Sequence, residues 1–180
     1  MEKYYEPRHV LMALGICLIV ASPFLLIFVP HTIANITYHT TITWHVFVPM
    51  ENYFVYGVSL LFLVIAMFIP FLLHLRKFSI TISAACLLFS FIAFFLTARS
   101  YTSLSEEAIS YRTMLSRKNH TYSWDEVERV IYNENGVSEY EILFHDSNQV
   151  TLPNDAYFDA IRMRLYRKLW EMNVRIEGSE

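Results

Sequence analysis

The sequence predicts a membrane protein: three transmembrane α-helices followed by a small α+β domain of antiparallel strands and one C-terminal helix. Three observations carry this. Long apolar runs occupy about 10–29, 54–73 and 79–98, and none contains Asp, Glu, Lys, Arg or His. Most charged residues come after Ala98, in a tail whose hydrophobic pattern alternates and then turns helical. The chain as a whole is 54% hydrophobic and 16% aromatic, with only 17% charged residues. An α-helix rises about 1.5 Å per residue, so about 20 apolar residues cross a hydrocarbon core of about 30 Å. The expected organisation is a transmembrane region over 1–98, including an extended loop at 30–53, and a soluble domain over 99–180.

The first run is too long for a secretory signal and leads into Pro30 and His31 rather than a small-residue cleavage site, so it reads as a retained helix. Pro23 removes a backbone donor within it and should kink it. In the third run Ser79, Ser83, Cys86, Ser90, Ala93 and Thr97 recur at steps of four and three, and Ala13, Cys17 and Ala21 make a shorter stripe in the first. Small residues on one face are the usual surface for close helix packing in lipid. No ionisable residue lies at membrane depth, where a transporter or proton channel keeps one.

Lys3 and Arg8 precede the first run, and Arg76 and Lys77 sit between the second and third. The 30–53 connection has neither Lys nor Arg. The positive-inside rule puts the N-terminus in the cytoplasm and, after three crossings, the C-terminal domain outside it. Arg99 pulls the other way.

The 30–53 connection alternates β-branched and aromatic residues (Ile36, Tyr38, Ile42, Trp44, Val46, Val48) with Thr37, His39, Thr41, Thr43 and His45. That pattern predicts an extended strand or hairpin on the bilayer surface, with Trp44, Tyr38 and Tyr53 at headgroup level. His31, His39 and His45, with Glu51, are the residues a metal would use, but no tight ligand motif joins them, and no metal or other cofactor is expected.

The tail reads as strands over Tyr101–Leu104 and Ala108–Leu115, then a third that passes Trp124 and a bend at Asp125-Glu126 into Val127, Val130 and Ile131. Strands at Tyr140–Phe144 and Gln149–Leu152 follow, with turns at Ser105–Glu107, Arg117–His120, Asn133–Ser138 and Asp146–Asn148. Asn154 or Asp155 caps a helix over about Ala156–Met172. Phe158, Ile161, Leu165, Leu169 and Met172 are its core stripe. Arg162, Arg164, Arg167 and Lys168 form a basic face, the candidate surface for the membrane or a partner. Both cysteines, Cys17 and Cys86, lie in apolar runs, so the tail folds without disulfides.

Tyr101–Arg112, with Glu106-Glu107, Ala108-Ile109 and Tyr111-Arg112, followed by Tyr122-Ser-Trp-Asp-Glu-Val127, is similar to the bacterial pleckstrin-homology-like (PH-like) domains of small multi-span membrane proteins. Their pattern has an acidic turn, Gly-Ile, a Tyr-Arg strand and a later Trp-Asp-Asp/Glu-Ile/Val. Ala108 stands where that pattern has Gly. The resemblance covers about 101–172. It implies a PH-like barrel closed by the C-terminal helix, and marks Trp124, Asp125 and Glu126 as motif residues. The resemblance specifies a fold more than a function; the expected function is a non-enzymatic membrane protein whose tail binds a protein or peptide, or associates with itself. Some related small membrane proteins confer immunity to bacteriocins, so a toxin-immunity or envelope-stress protein is the alternative. An enzyme or transporter with an unrecognised site is a second.

A net charge of −3 gives no reason to expect nucleic acid. Glu106 and Glu107 occupy the turn where a phosphoinositide site needs cations, so the expected partners are the bilayer and a protein or peptide, without specific phosphoinositide binding. No phosphate loop, nucleophile elbow or HExxH pair is present, and the chain reads as non-enzymatic.

Overall fold

A computed structural model describes residues 6–133 and 138–178. It forms two compact units, Met1–Pro30 with Glu51–Ala98, and His31–Met50 with Arg99–Glu180. Lys3 and the centre of the Asn133–Ser138 turn lie outside the described residues.

The first unit contains most of α1 (Pro7–Tyr38), with α2 (Met50–Leu72) and α3 (Lys77–Ala98). By length and composition all three are candidate membrane spans, as in a multi-pass membrane protein. The small stripe of α3 packs on α2. Ser59 and Ser90 donate to each other's backbone carbonyl at 2.9 and 2.8 Å, and Ser83 Oγ donates to the Ala66 carbonyl at 2.6 Å. Hydroxyls satisfied this way join helices without leaving a bare polar group in an apolar setting. In α1 the close approach is made by Gly15, where an added Cβ would stand 2.6 Å from the Phe68 ring; Ala13 and Cys17 of the expected stripe are exposed.

The helix α1 does not stop at Pro30 but runs on to Tyr38, so the expected strand at Ile36–Tyr38 is corrected. Packing decides this. Ala34 is buried, and Tyr38, one turn later, stacks on Tyr101 with ring centroids 3.7 Å apart. The helical period through these two residues prevails over the alternation.

The rest of that connection holds one strand, β1 (Thr43–Phe47), and not a hairpin. It pairs antiparallel with β2 (Tyr101–Ser105), burying Val46 and Phe47 in the second unit. A meander continues through β3 (Ala108–Arg112) and β4 (His120–Ser123), giving a sheet of order β1-β2-β3-β4. The turn bearing Glu106 and Glu107 therefore joins the second and third strands of this sheet rather than the first and second.

Trp124–Glu126 form a 3₁₀ turn that leads into β5 (Val127–Asn133), β6 (Glu139–Phe144) and β7 (Gln149–Pro153). The last short strand, β8 (Ile176–Gly178), lies parallel to β5 and was not expected; the second sheet has the order β7-β6-β5-β8. The sheets are not closed into a barrel, which corrects that expectation. Between them lies the 3₁₀ turn, where the Glu126 carboxylate accepts from the Ser123 backbone N–H at 2.7 Å.

The helix α4 (Ala156–Glu171) begins at the Asp155 cap, whose carboxylate accepts from the backbone N–H groups of Tyr157 and Phe158, both at 2.9 Å. Phe158, Ile161, Leu165 and Leu169 are buried in one cluster with Leu104, Ile109, Val130, Ile142, Phe144 and Leu152, and Met172 packs against it.

Candidate partner-binding groove

A bulge shapes the first edge of the site. Thr43 pairs with Ser105 and His45 with Leu104, which leaves Trp44 as the extra residue of β1. Such a residue is turned away from the regular alternation of the strand. The Trp44 indole N–H donates to Glu106 Oε2 at 2.8 Å, and its ring stacks on Trp124, centroids 5.5 Å apart. Trp124 is itself buried, with its N–H donated to the Ser105 carbonyl at 3.1 Å. Glu106 is thus held against the edge strand instead of extending free into solvent.

Across from Trp44 and Glu106, α4 supplies Arg164, Arg167, Lys168 and Glu171 to the same groove, of about 290 Å³. Their spacing of three and four puts them on one side of the helix. Lys168 Nζ lies 3.9 Å from Glu171 Oε2. Among the described residues neither Arg164 nor Arg167 is in an ion pair. Three of the four basic residues singled out in the sequence therefore meet here. The fourth does not: Arg162 pairs with Asp159 and reaches the Asn154 side chain at 3.4 Å. Asp125 and Glu126 also lie outside the groove. Glu126 caps Ser123, and hydrogen bonding from Ser123 first, then from backbone, holds the exposed Asp125 carboxyl below the usual range. Glu171 shares the solvated helix face of Arg164, Arg167 and Lys168 and follows from helix spacing, whereas nothing in the residue order brings Trp44 and Glu106 to the groove.

Beside the groove elements lies an aromatic stack. The His31 and Tyr157 rings are 4.6 Å apart, His31 and His45 5.4 Å, and His45 and Tyr157 5.6 Å. Phe47 meets His45 edge-on at 4.6 Å. The Nε2 of His45 is buried without a hydrogen-bond partner among the described residues. Burial first, then the neighbouring His31, lowers the His45 pKa; Asp155 opposes this and His39 adds to it. Among the described residues no three His, Cys, Asp or Glu side chains gather closely enough to hold a metal ion. A scan against protein-family models finds no match, and a search of curated proteins finds none either.

Proposed function

We propose that this chain is a non-enzymatic integral membrane protein whose C-terminal domain binds a protein or peptide segment at the membrane, or a second copy of itself. The observation that carries the reading is the groove. It gathers an aromatic side chain from an edge strand and three cations from a helix, two of them outside any ion pair among the described residues. Aromatic and arginine side chains are the groups that recognition surfaces favour.

A PH-like arrangement belongs to this reading. Four antiparallel strands, three more and a helix support it, with β1 drawn from the connection between α1 and α2. So does the similarity around Tyr101–Val127. The domain is placed outside the cytoplasm. Arg8 before α1 and Arg76 and Lys77 between α2 and α3 support cytoplasmic placement of those ends. Three crossings put the α1–α2 connection and the tail on one side, as a sheet shared by β1 and β2 requires.

The test is a photo-crosslinking amino acid at position 164 or 171 of the full chain in its native membrane, with position 115 as control. A discrete protein adduct, or a dimer of the chain, at the first two positions and not at the third is expected. Adducts to lipid alone, or none, would overturn the reading.

A further inference from the structure

We infer that the groove between Trp44 and α4 takes a carboxylate carried by an extended peptide, an acidic side chain or a free C-terminus. This deepens the recognition reading above and rests on it. The argument begins with charge. Arg164, Arg167 and Lys168 face Glu106 and Glu171 around one space of about 290 Å³. A dianionic phosphate would gain from the cations and be repelled by both carboxylates. A peptide carries both signs that the groove needs. Its carboxylate meets the paired guanidiniums, which bind such groups in a planar, two-point fashion. Its backbone N–H groups donate to Glu106 and Glu171.

Size agrees. Small-molecule pockets run from about 300 to 1,000 Å³, so this groove is at the low end and takes one or two residues rather than a cofactor. Preorganisation agrees as well. The Trp44 N–H fixes Glu106, the Trp124 stack fixes Trp44, and α4 is fixed by its buried stripe. Ligand binding at such a site orders few additional groups, which lowers its entropic cost. The two arginines are exposed and outside any ion pair among the described residues, so a carboxylate does not have to displace a partner from them.

Trp44, Trp124 and Trp170 are the three tryptophans of the chain, so 5-fluorotryptophan labelling of the full protein in phosphatidylcholine nanodiscs gives one fluorine signal for each. Trp170 lies outside the groove and is 83% exposed, which makes it an internal control. The probes are acetyl-triglutamyl amide, its glutamine counterpart and inorganic phosphate. The expected result is a saturable shift of the Trp44 signal with the glutamate peptide and not with the glutamine one. The double variant Arg164→Gln, Arg167→Gln should weaken it about tenfold or more, with the Trp124 signal staying in place to report an intact fold. Equal response to phosphate would make the groove a general anion site and overturn the peptide assignment. So would displacement of the Trp44 signal by phosphatidylserine nanodiscs without peptide, which would make a bilayer the occupant. Peptide binding that survives the double variant would move the site elsewhere while leaving the recognition reading intact. No saturable response to the peptide would overturn this inference, and the crosslinking experiment then decides the broader reading separately.

Discussion

Trp44 stacks on Trp124, centroids 5.5 Å apart and planes 28° apart, so the connection between the first two apolar helices is built into the core edge of the C-terminal domain. A tryptophan in that connection would ordinarily be assigned to the headgroup region. Here its ring has a protein partner and its N–H a carboxylate acceptor.

The first prediction concerns that contact. Trp44→Ala removes a stacked, part-buried ring and the Glu106 hydrogen bond together. A fully buried aromatic costs about 3–5 kcal/mol on truncation, and this one, part-buried, should cost about 1–3 kcal/mol. Trp44→Phe should recover part of the loss by restoring the stack alone. Thermal unfolding of the purified full chain, followed through near-ultraviolet circular dichroism, measures both. Equal unfolding of Trp44→Ala and wild type would mean the stack contributes nothing.

The second concerns the register of β1. Val46 and Ser103 are opposed across the β1–β2 pair. Opposed residues in antiparallel strands have Cα atoms about 4.5–5.5 Å apart, within reach of a disulfide. With Cys17 and Cys86 replaced by Ala, the pair Val46→Cys, Ser103→Cys should oxidise in native membranes. The readout is the joining of fragments after cleavage at a protease site placed at Arg76. Separate fragments under oxidising conditions would count against the shared sheet.

The third concerns the helix stripe. Leu165 is fully buried between α4 and the sheets, so Leu165→Ala should cost about 2–5 kcal/mol. Asp155→Ala should cost about 1 kcal/mol through the lost cap. Met163→Ala, at a position 73% exposed, should change stability little. Chemical denaturation of the three variants gives the ranking, and a Met163 effect as large as that of Leu165 would contradict the packing.

What the sequence made legible was local. The apolar runs, the α4 stripe and the Asp155 cap each sit within a few residues of one another, so their periods can be read directly. Alternation around Tyr38 is ambiguous, because the burial of Ala34 and the stack on the distant Tyr101 ring decide for the helix turn. The β8 strand is too short to carry a pattern, and its partner β5 lies far back in the chain. The groove was half visible. Its cations share one helix face, whereas Trp44 and Glu106 come together only through the pairing of β1 with β2. A lone bulge cannot be read from the residue order of one strand.

The fourth prediction is a pH dependence. His45 lies under Tyr157, near His31, His39, Phe47 and the Asp155 cap, and its folded pKa is lowered by burial and by His31. The unfolded chain, with an ordinary imidazole pKa of about 6.5, then binds the proton more readily than the folded one. Stability rises with pH wherever the unfolded state holds more protons. The His45 contribution is therefore fully present above about pH 6.5, falls as pH drops toward the lowered folded value, and levels off below it. His45→Gln should flatten that part of the unfolding profile between pH 7.5 and 5, and the imidazole carbon shift of His45 should titrate below the ordinary imidazole value of about 6.5. A His45 that titrates at or above that ordinary value would sink the assignment.

The last prediction fixes sidedness. Ser147 sits exposed in the turn between β6 and β7, with a positive φ of 66°, and only its backbone N–H is engaged there, donating to the Phe144 carbonyl at 2.9 Å. A cysteine placed there should react with an impermeant thiol reagent without disturbing the fold. In a chain whose Cys17 and Cys86 are replaced by Ala, the charge bias of Arg8, Arg76 and Lys77 predicts labelling in intact cells. Position 42, in the α1–α2 connection beside β1, should label with it, because both lie on the side of the shared sheet. A cysteine at position 75, between α2 and α3, should label only after lysis. The reverse pattern, with position 75 labelled in intact cells and positions 42 and 147 protected, would turn the protein over in the membrane. It would leave the three crossings in place and put the groove in front of cytoplasmic partners instead.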